Sequence, residues 1–431
     1  MSLNQLVGSL KYVLPASMDA VPQGFRSNRD PKPVASQLQT VNVPSLTGNA
    51  SASGNSVVQI PCSASSGYGC NFYLRFDVEL TGPGTVDDVP KWNFKGGVGA
   101  CSSLINRLST YVNSTQIDNL QNCDAVYDCV LAHGTSQSFI DRDAKVLMGA
   151  GVLYNEAKKF TTGVRRSFIV PLLGLLGSQQ AFPLFAVQGT LQVSIDWNNV
   201  NRSIYASAND TAITGYNIAN VQLCYDKIMV EEAYVNQVRA EMAQGQNFIY
   251  SYTNYGTTTL VSAGAGSPTL NYGLNVSSLR AVIASQVATA DLSSIKAQGL
   301  SINNSMSQFQ TSLDGRLISS LVLDSTVSPA LCFSEMNKCF SKLFDSSVSD
   351  LSSVANDAST VALTGGDYLT KYYAVGNHCL RTNEALAFSG SPCSVLSIQT
   401  TLGATATTLY FILISDMQLV VSADGGIVIA R

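Results

Sequence analysis

Two histidines and ten cysteines carry the most distinctive chemistry available to this chain. Cys129 and His133 stand at i, i+4 spacing, which puts both on one helical face, and Cys123 is close by. These are donor types that zinc favours, and a fourth ligand from elsewhere would complete a site. The simpler expectation is a set of small buried side chains on a helix, since free cysteine is among the most buried residue types. Cys62, Cys70, Cys101, Cys123, Cys129, Cys224, Cys332, Cys339, Cys379 and Cys393 contain no CxxC pair, so a zinc ribbon or a redox motif is not supported. Cys62 and Cys70 flank a Gly/Ser loop that a disulfide would span, and a reducing compartment would leave it open.

Catalytic arrangements fare no better. A histidine-based nucleophile triad needs His133, beside a predicted helix stop, or His378, in a turn next to Gly376 and Asn377; both read as structural. Asp87 with Asp88 and Asp141 with Asp143 are the carboxylate pairs that a glycosidase reading would use. Catalytic carboxylates must converge across a cleft, whereas sequence neighbours in loops face water. The small-residue run from Ala263 to Gly266 lacks a following lysine and reads as a flexible turn, not a phosphate cradle. No HExxH, GxSxG, GxxxxGK[ST] or zinc-deaminase pattern occurs. No residue is therefore assigned a catalytic, cofactor-binding or metal-binding role. Asn-x-Ser/Thr sequons at Asn49, Asn113, Asn201, Asn209, Asn275 and Asn303 are what chance produces in a chain this rich in Asn, Ser and Thr.

Composition narrows the class. At 431 residues the chain exceeds what one hydrophobic core usually serves, so two domains are expected. Apolar residues make up 45% and charged residues only 13%, yet no apolar run is long enough to span a bilayer, which points to surface covered by copies of the same chain. A net charge of −4 argues against direct nucleic-acid binding. Near the amino terminus Lys11 interrupts a short apolar patch that no basic cluster precedes, unlike a secretory signal. The expected compartment is cytosolic or nuclear.

The elements that would position these residues are mostly strands. In LQVSIDW, Leu191, Val193, Ile195 and Trp197 alternate with polar residues, the period of a strand with one wet face. Val221, Leu223 and Tyr225 alternate in the same way with Gln222, Cys224 and Asp226, and so do Phe72, Leu74, Phe76 and Val78 with Tyr73, Arg75 and Asp77. SVVQIPC (56–62) is a further strand, and residues 82–90 form a turn-rich loop. Leu120, Cys123, Val126 and Val130 predict a helix of about three turns, stopped by Gly134. Residues 135–166 show no period. Val235, Val238 and Met242 share one face of a connecting helix that ends at Gly245, with Glu231, Glu232, Arg239 and Glu241 solvated. A second all-β unit follows, with a hairpin turn at Asp314–Gly315, a helix capped by Ser334 that carries Met336, Phe340, Leu343 and Phe344, and a last turn at Asp424–Gly426. Each half thus reads as strands, one helix, then strands, and the economical inference is two β-sandwiches in tandem. Residues 1–34 are an arm, 35–235 the first sandwich and 236–431 the second. Pro15, Pro22, Pro31 and Pro33 deny the arm regular ladders, and Lys11, Arg26, Arg29 and Lys32 give it a modest positive bias toward an acidic neighbouring subunit or an anionic membrane.

GGVGACSSLINRLSTYVNSTQIDNLQNCDAVYDCVL (96–131), FIVPLLGLLGSQQAFPLFAVQGTLQVSIDW (168–197) and SQFQTSLDGRLI (307–318) resemble segments of the double jelly-roll major capsid proteins of icosahedral double-stranded DNA viruses, closest to virophages, polinton-like viruses and their larger relatives. The resemblance implies an all-β fold of two tandem eight-stranded jelly rolls with short helices in the loops. It further implies a homotrimer of pseudo-hexagonal outline that tiles a shell, no enzymatic activity and no cofactor. The implied partners are neighbouring capsomers, penton and minor capsid proteins and an internal membrane, and the implied location is the virion, after synthesis in a host cell without a secretion signal. Two other classes compete. A glycan-binding adhesin or lectin would use aromatic loops at Tyr250, Tyr252, Tyr255, Tyr368, Tyr372 and Tyr373, and a two-domain glycoside hydrolase would explain the size.

Overall fold

The computed structural model describes residues 36–82, 91–136, 138–151, 154–155, 165–178, 180–187, 189–206, 213–245, 247–340, 366–380, 390–422 and 426–430. The arm, the loop ending at Pro90, Leu343, Phe344, and Asp424 with Gly425 of the last turn lie outside them.

Besides the short strands Ala50–Ser51, Lys91–Phe94, Tyr154–Asn155 and Ile204–Ala206, the last three of which form a small sheet of their own, the first half contains eight longer ones: β1 (Ser36–Pro44), β2 (Asn55–Cys62), β3 (Tyr68–Thr81), β4 (Ile105–Val112), β5 (Thr115–Gln121), β6 (Arg165–Pro171), β7 (Gly189–Trp197) and β8 (Gly215–Val230). They lie in two antiparallel sheets, in the orders β1-β8-β3-β6 and β2-β7-β4-β5. The chain repeatedly crosses from one sheet to the other, which is the winding of a jelly roll. The alternation in the sequence sets which face is inward. Leu74 and Phe76 of β3 and Leu191, Val193 and Ile195 of β7 are fully buried, each such side chain contributing about 1.5–3 kcal/mol. Phe76 meets Trp197 edge to face across the sandwich, centroids 5.1 Å apart, and the Trp197 indole N–H donates to Ser56 Oγ at 2.9 Å.

The second half contains β9 (Phe248–Ser262), β10 (Thr269–Ala288), β11 (Gln308–Leu313), β12 (Arg316–Leu317), β13 (Ala374–His378), β14 (Ser391–Thr401), β15 (Thr407–Val421) and β16 (Ile427–Ala430). Its strands form one connected ladder because β10 serves two sheets. From Thr269 to Leu279 it pairs with β14, and from Leu279 to Ala288 with β15, with register shifts around Val276 and Asn275 at φ +50°. Split at that corner, the orders are β9-β15-β10-β13 and β10-β14-β11-β12, the same winding as the first half.

Three helices matter to the packing: α1 (Cys123–Gly134), α2 (Glu232–Ala243) and α3 (Pro329–Phe340). α2 joins the halves, burying Val235, Val238 and Met242; Gly245 at φ +91° ends it. Every strand ladder among the described residues stays on one side of α2, while buried apolar side chains from both sides form one connected cluster. Arg239 is not simply solvated, since its guanidinium donates to Phe185 O at 3.2 Å.

Several helix boundaries differ from expectation. Leu120 belongs to β5, where it is buried in the sandwich, and α1 begins at Cys123. Gly134 does not stop α1 through a left-handed conformation; a Cβ there would lie 2.9 Å from Phe340, so glycine permits the close approach of α1 and α3. α3 starts at Pro329, whose fixed φ suits a first turn, and Ser334 lies inside it, donating to Leu331 O. The stretch without a period holds a π-helical turn, Phe139–Ala144, running into a short α-helix, Lys145–Met148.

Candidate functional site

The residues singled out for chemistry are mostly packed as structure. His133 is buried, and burial pulls its pKa down to about 4, so the ring is neutral at pH 7. Its Nε2–H donates to Tyr372 O at 2.8 Å, from α1 to the second half. Cys123 and Cys129 are buried free thiols, both pushed up by burial, and no group of three or more His, Cys, Asp or Glu side chains among the described residues is placed to hold a metal. His378 Nδ1 is 3.8 Å from Glu335 Oε2. Asp141 pairs with Lys145 at 3.1 Å and Asp143 with Arg142 at 3.6 Å, surface contacts and not a catalytic cleft; Asp87 and Asp88 lie outside the described residues. Cys62 and Cys70 are both free. Tyr250, Tyr252, Tyr368 and Tyr373 are buried, which removes them from any glycan-facing platform.

What the structure brings together instead is a polar seam between the halves. The Lys95 ammonium, from the first half, donates to Ser294 O at 2.6 Å and to Asp291 O; burial lowers its pKa to about 8. Arg202 grips Asp124 at the foot of α1 with bonds of 2.5 and 3.0 Å, and its guanidinium lies 5.4 Å over the Tyr410 ring of β15. Asp128, one turn further along α1, accepts from the Gly97 and Val98 amides at 3.0 and 2.8 Å. These groups line a small cavity of ≈ 30 Å³, room enough for water. Beyond the cavity, β9 lies against the edge of the first sandwich: Tyr252 donates to Ile117 O at 3.3 Å, Thr257 to Gln121 O at 3.0 Å, and Tyr250 to Gln180 O at 2.9 Å.

No family model and no curated protein matches the sequence. Solved structures do match. VP54 of the virus PBCV-1, in its crystal structure fitted into a reconstruction of the virophage Sputnik, aligns over 92% of this chain and 97% of its own, with a TM-score of 0.59 at 12% identity. The Faustovirus major capsid protein aligns over 90% of each chain with a TM-score of 0.59 at 8% identity, and the Sputnik virophage structure over 91% of this chain and 88% of its own with 0.55 at 13%. The chain has the double jelly-roll fold of viral major capsid proteins. The two jelly rolls differ in how their outer faces are covered. In the second, β15 is buried on both faces from Thr407 to Met417, and its Tyr410 ring lies under Arg202 of the first jelly roll. In the first, the outer side of the β1-β8-β3-β6 sheet stays wet: Thr40, Asn42, Asn71 and Arg75 are exposed.

Sequence reasoning missed the seam residues of the double jelly roll. Lys95, Asp124, Asp128 and Arg202 stand in segments with no local partner, and Arg202 is 78 positions from Asp124. The GLLG segment was legible as a resemblance and now has a physical reason. Gly174 adopts φ +75°, and a Cβ there would fall 2.0 Å from Asp118 Oδ2, which accepts from the Leu175 amide at 2.8 Å.

Proposed function

We propose that this chain is a viral major capsid protein whose homotrimers, each a ring of six similar sandwiches, tile an icosahedral shell. The observation that carries the reading is the pair of jelly rolls of identical winding, locked by a buried seam, in a fold that matches capsid subunits along nearly their full length. Its work is mechanical, not chemical: the sandwiches supply stiff walls, and loops and edges supply contacts to neighbouring capsomers and to penton and minor capsid proteins. The jelly rolls occupy residues 35–235 and 236–431. Residues 1–34 act as a contact arm, with Lys11, Arg26, Arg29 and Lys32 facing an acidic subunit or an anionic membrane beneath the shell.

Native mass spectrometry and electron microscopy of the purified protein test this. The expected result is a trimer of pseudo-hexagonal outline that assembles into shells or flat arrays. A folded monomer at micromolar concentration, without arrays, would overturn it. Deleting residues 2–30 should leave trimers intact and impair shell assembly; trimers that fail to fold, or shells that form normally, would refute the role given to the arm.

A further inference from the structure

At one end of the first sandwich, the turn before β2, the first residues of β4 and the residues that follow β7 enclose a cleft of ≈ 410 Å³, a volume in the range of small-ligand sites. Its walls are fixed by the backbone: the Ser53 amide donates to Asn198 O at 3.0 Å, the Trp197 amide to Gly54 O at 2.9 Å and the Asn198 amide to Leu104 O at 2.7 Å. Apart from Gly54 and Trp197 the residues lining it are all polar, and Trp197 is only 2% exposed. The charges at the cleft are already matched. Asp196 accepts from Arg107 at 2.7 Å and from Asn55 Nδ2 at 2.6 Å, and Arg202 is held by Asp124. What remains to bind with is amide and hydroxyl. Asn106 is the extra residue of a β-bulge, since Ile105 pairs with Trp197 and Arg107 with Asp196, and a bulge re-aims a side chain out of the regular alternation. Its side chain lines the cleft and makes no hydrogen bond to any described residue. Asn199 Oδ1 accepts from the Arg202 amide at 2.9 Å, which leaves Nδ2 to donate. Ser53, at φ +63°, brings a hydroxyl to the same rim.

We propose that this cleft binds a neutral sugar unit of a glycan, with Asn106 as its central contact and Asn55, Asn199 and Ser53 around it. One carboxylate already paired with arginine does not make a metal site, and both nearby arginines are engaged, which leaves no cation for a phosphate or a sulfate. A peptide would anchor through apolar side chains, and the cleft has no apolar wall to receive them. A sugar presents hydroxyls that each donate and accept, and a side-chain amide offers one group of each kind, so the asparagines match adjacent hydroxyls. Because the walls are fixed before the ligand arrives, binding orders little that was not already ordered. β1 begins at Ser36, opposite Val230 at the other end of the sandwich, so the arm and the cleft lie at opposite ends. On the capsid reading, which sets the arm beneath the shell, the cleft opens on the outer surface; this direction alone rests on that reading. Repeated over a shell, weak single contacts would add up to firm attachment.

Ligand-observed NMR and a panel of immobilised oligosaccharides ending in galactose, glucose, mannose, fucose, N-acetylhexosamine or sialic acid test this with the full chain. The expected result is binding of at least one neutral member, lowered at least about tenfold by Asn106→Ala. The melting temperature of that variant should match the parent's, because the lost amide holds nothing else in the fold. Asn106→Trp, which fills the cleft, should abolish binding. No binding of any neutral member, binding that survives Asn106→Ala undiminished, or binding confined to sialylated members would each overturn the proposal. Its failure is distinguishable from failure of the capsid reading. Arrays or shells that bind no sugar remove the site and leave the capsid; a chain that never forms trimers, yet binds sugar in a manner lost with Asn106→Ala, keeps the site and removes the capsid.

Discussion

Asp118 and Asp128 are the residues at which this protein should respond to pH. Burial raises both carboxyls to about 6, against 3.8 in the open. Because the folded value lies above the unfolded one, their stabilising contribution is complete below about pH 4 and is lost as the pH rises through 6. His133 has the opposite sense. Its folded value, about 4, lies below its ordinary 6.5, so its contribution is present above 6.5 and lost as the pH falls toward 4. Asp118 Oδ1 has no hydrogen-bond partner, which makes it the cleaner group to test. Asp118→Asn should flatten the fall in melting temperature between about pH 4 and 6, and an unchanged slope would show that Asp118 ionises freely in the fold. The Arg202–Asp124 pair should behave differently. Removing one partner of a buried pair strands a charge, so Asp124→Ala should cost about 3–5 kcal/mol in a denaturant titration, and Asp124→Ala combined with Arg202→Met less than the sum of the two. Strict additivity would show that the pair is not coupled.

At the scale of elements, what was legible follows from which faces are wet. β3, β7 and β8 alternate in sequence because one side of each meets the core and the other meets water or a polar neighbour, so their inward residues could be named from the sequence. LYFILISDMQLVV in β15 does not alternate, because both of its faces are covered, and its direction could be found only by locating its partners. The Asp314–Gly315 turn was legible because a two-residue hairpin needs left-handed backbone at both positions, and these sit at φ +49° and +77°. Gly315→Val should therefore cost upward of about 1 kcal/mol, measured by thermal unfolding; no loss would mean the turn can take another form. The starts of α1 and α3 were not legible because Leu120 belongs to β5 and Pro329, not Ser334, opens α3; Gly134 was legible as the end of α1, but its reason is the approach of Phe340 and not a cap. Gly134→Ala should destabilise despite alanine's better helix propensity, and Phe340→Leu should recover part of the loss. Stabilisation by Gly134→Ala alone would show that the helices have room to spare.

For the whole molecule, the seam makes the halves unequal partners. Cut from the first jelly roll, the second would expose Phe248, Tyr250 and Tyr252 of β9 and Tyr410 of β15, whereas the outer sheet of the first is already polar. Expressed separately, residues 246–431 should aggregate while residues 1–245 remain soluble, as read by sedimentation and light scattering; the reverse would mean that the first half depends more on the seam. The shared strand β10 has a consequence of another kind. In the first jelly roll the two sheets are joined at the corresponding corner by a short loop with a 3₁₀ turn at Ala64–Ser66, so a sideways push on one sheet reaches the other largely through packed side chains. In the second, β10 passes through the corner without leaving the ladder, and the same push travels along peptide bonds. It is a strut shared by two walls. Shear that lets the first sandwich slip should be carried by the second as strain along one covalent line, so the second half of the molecule is the stiffer.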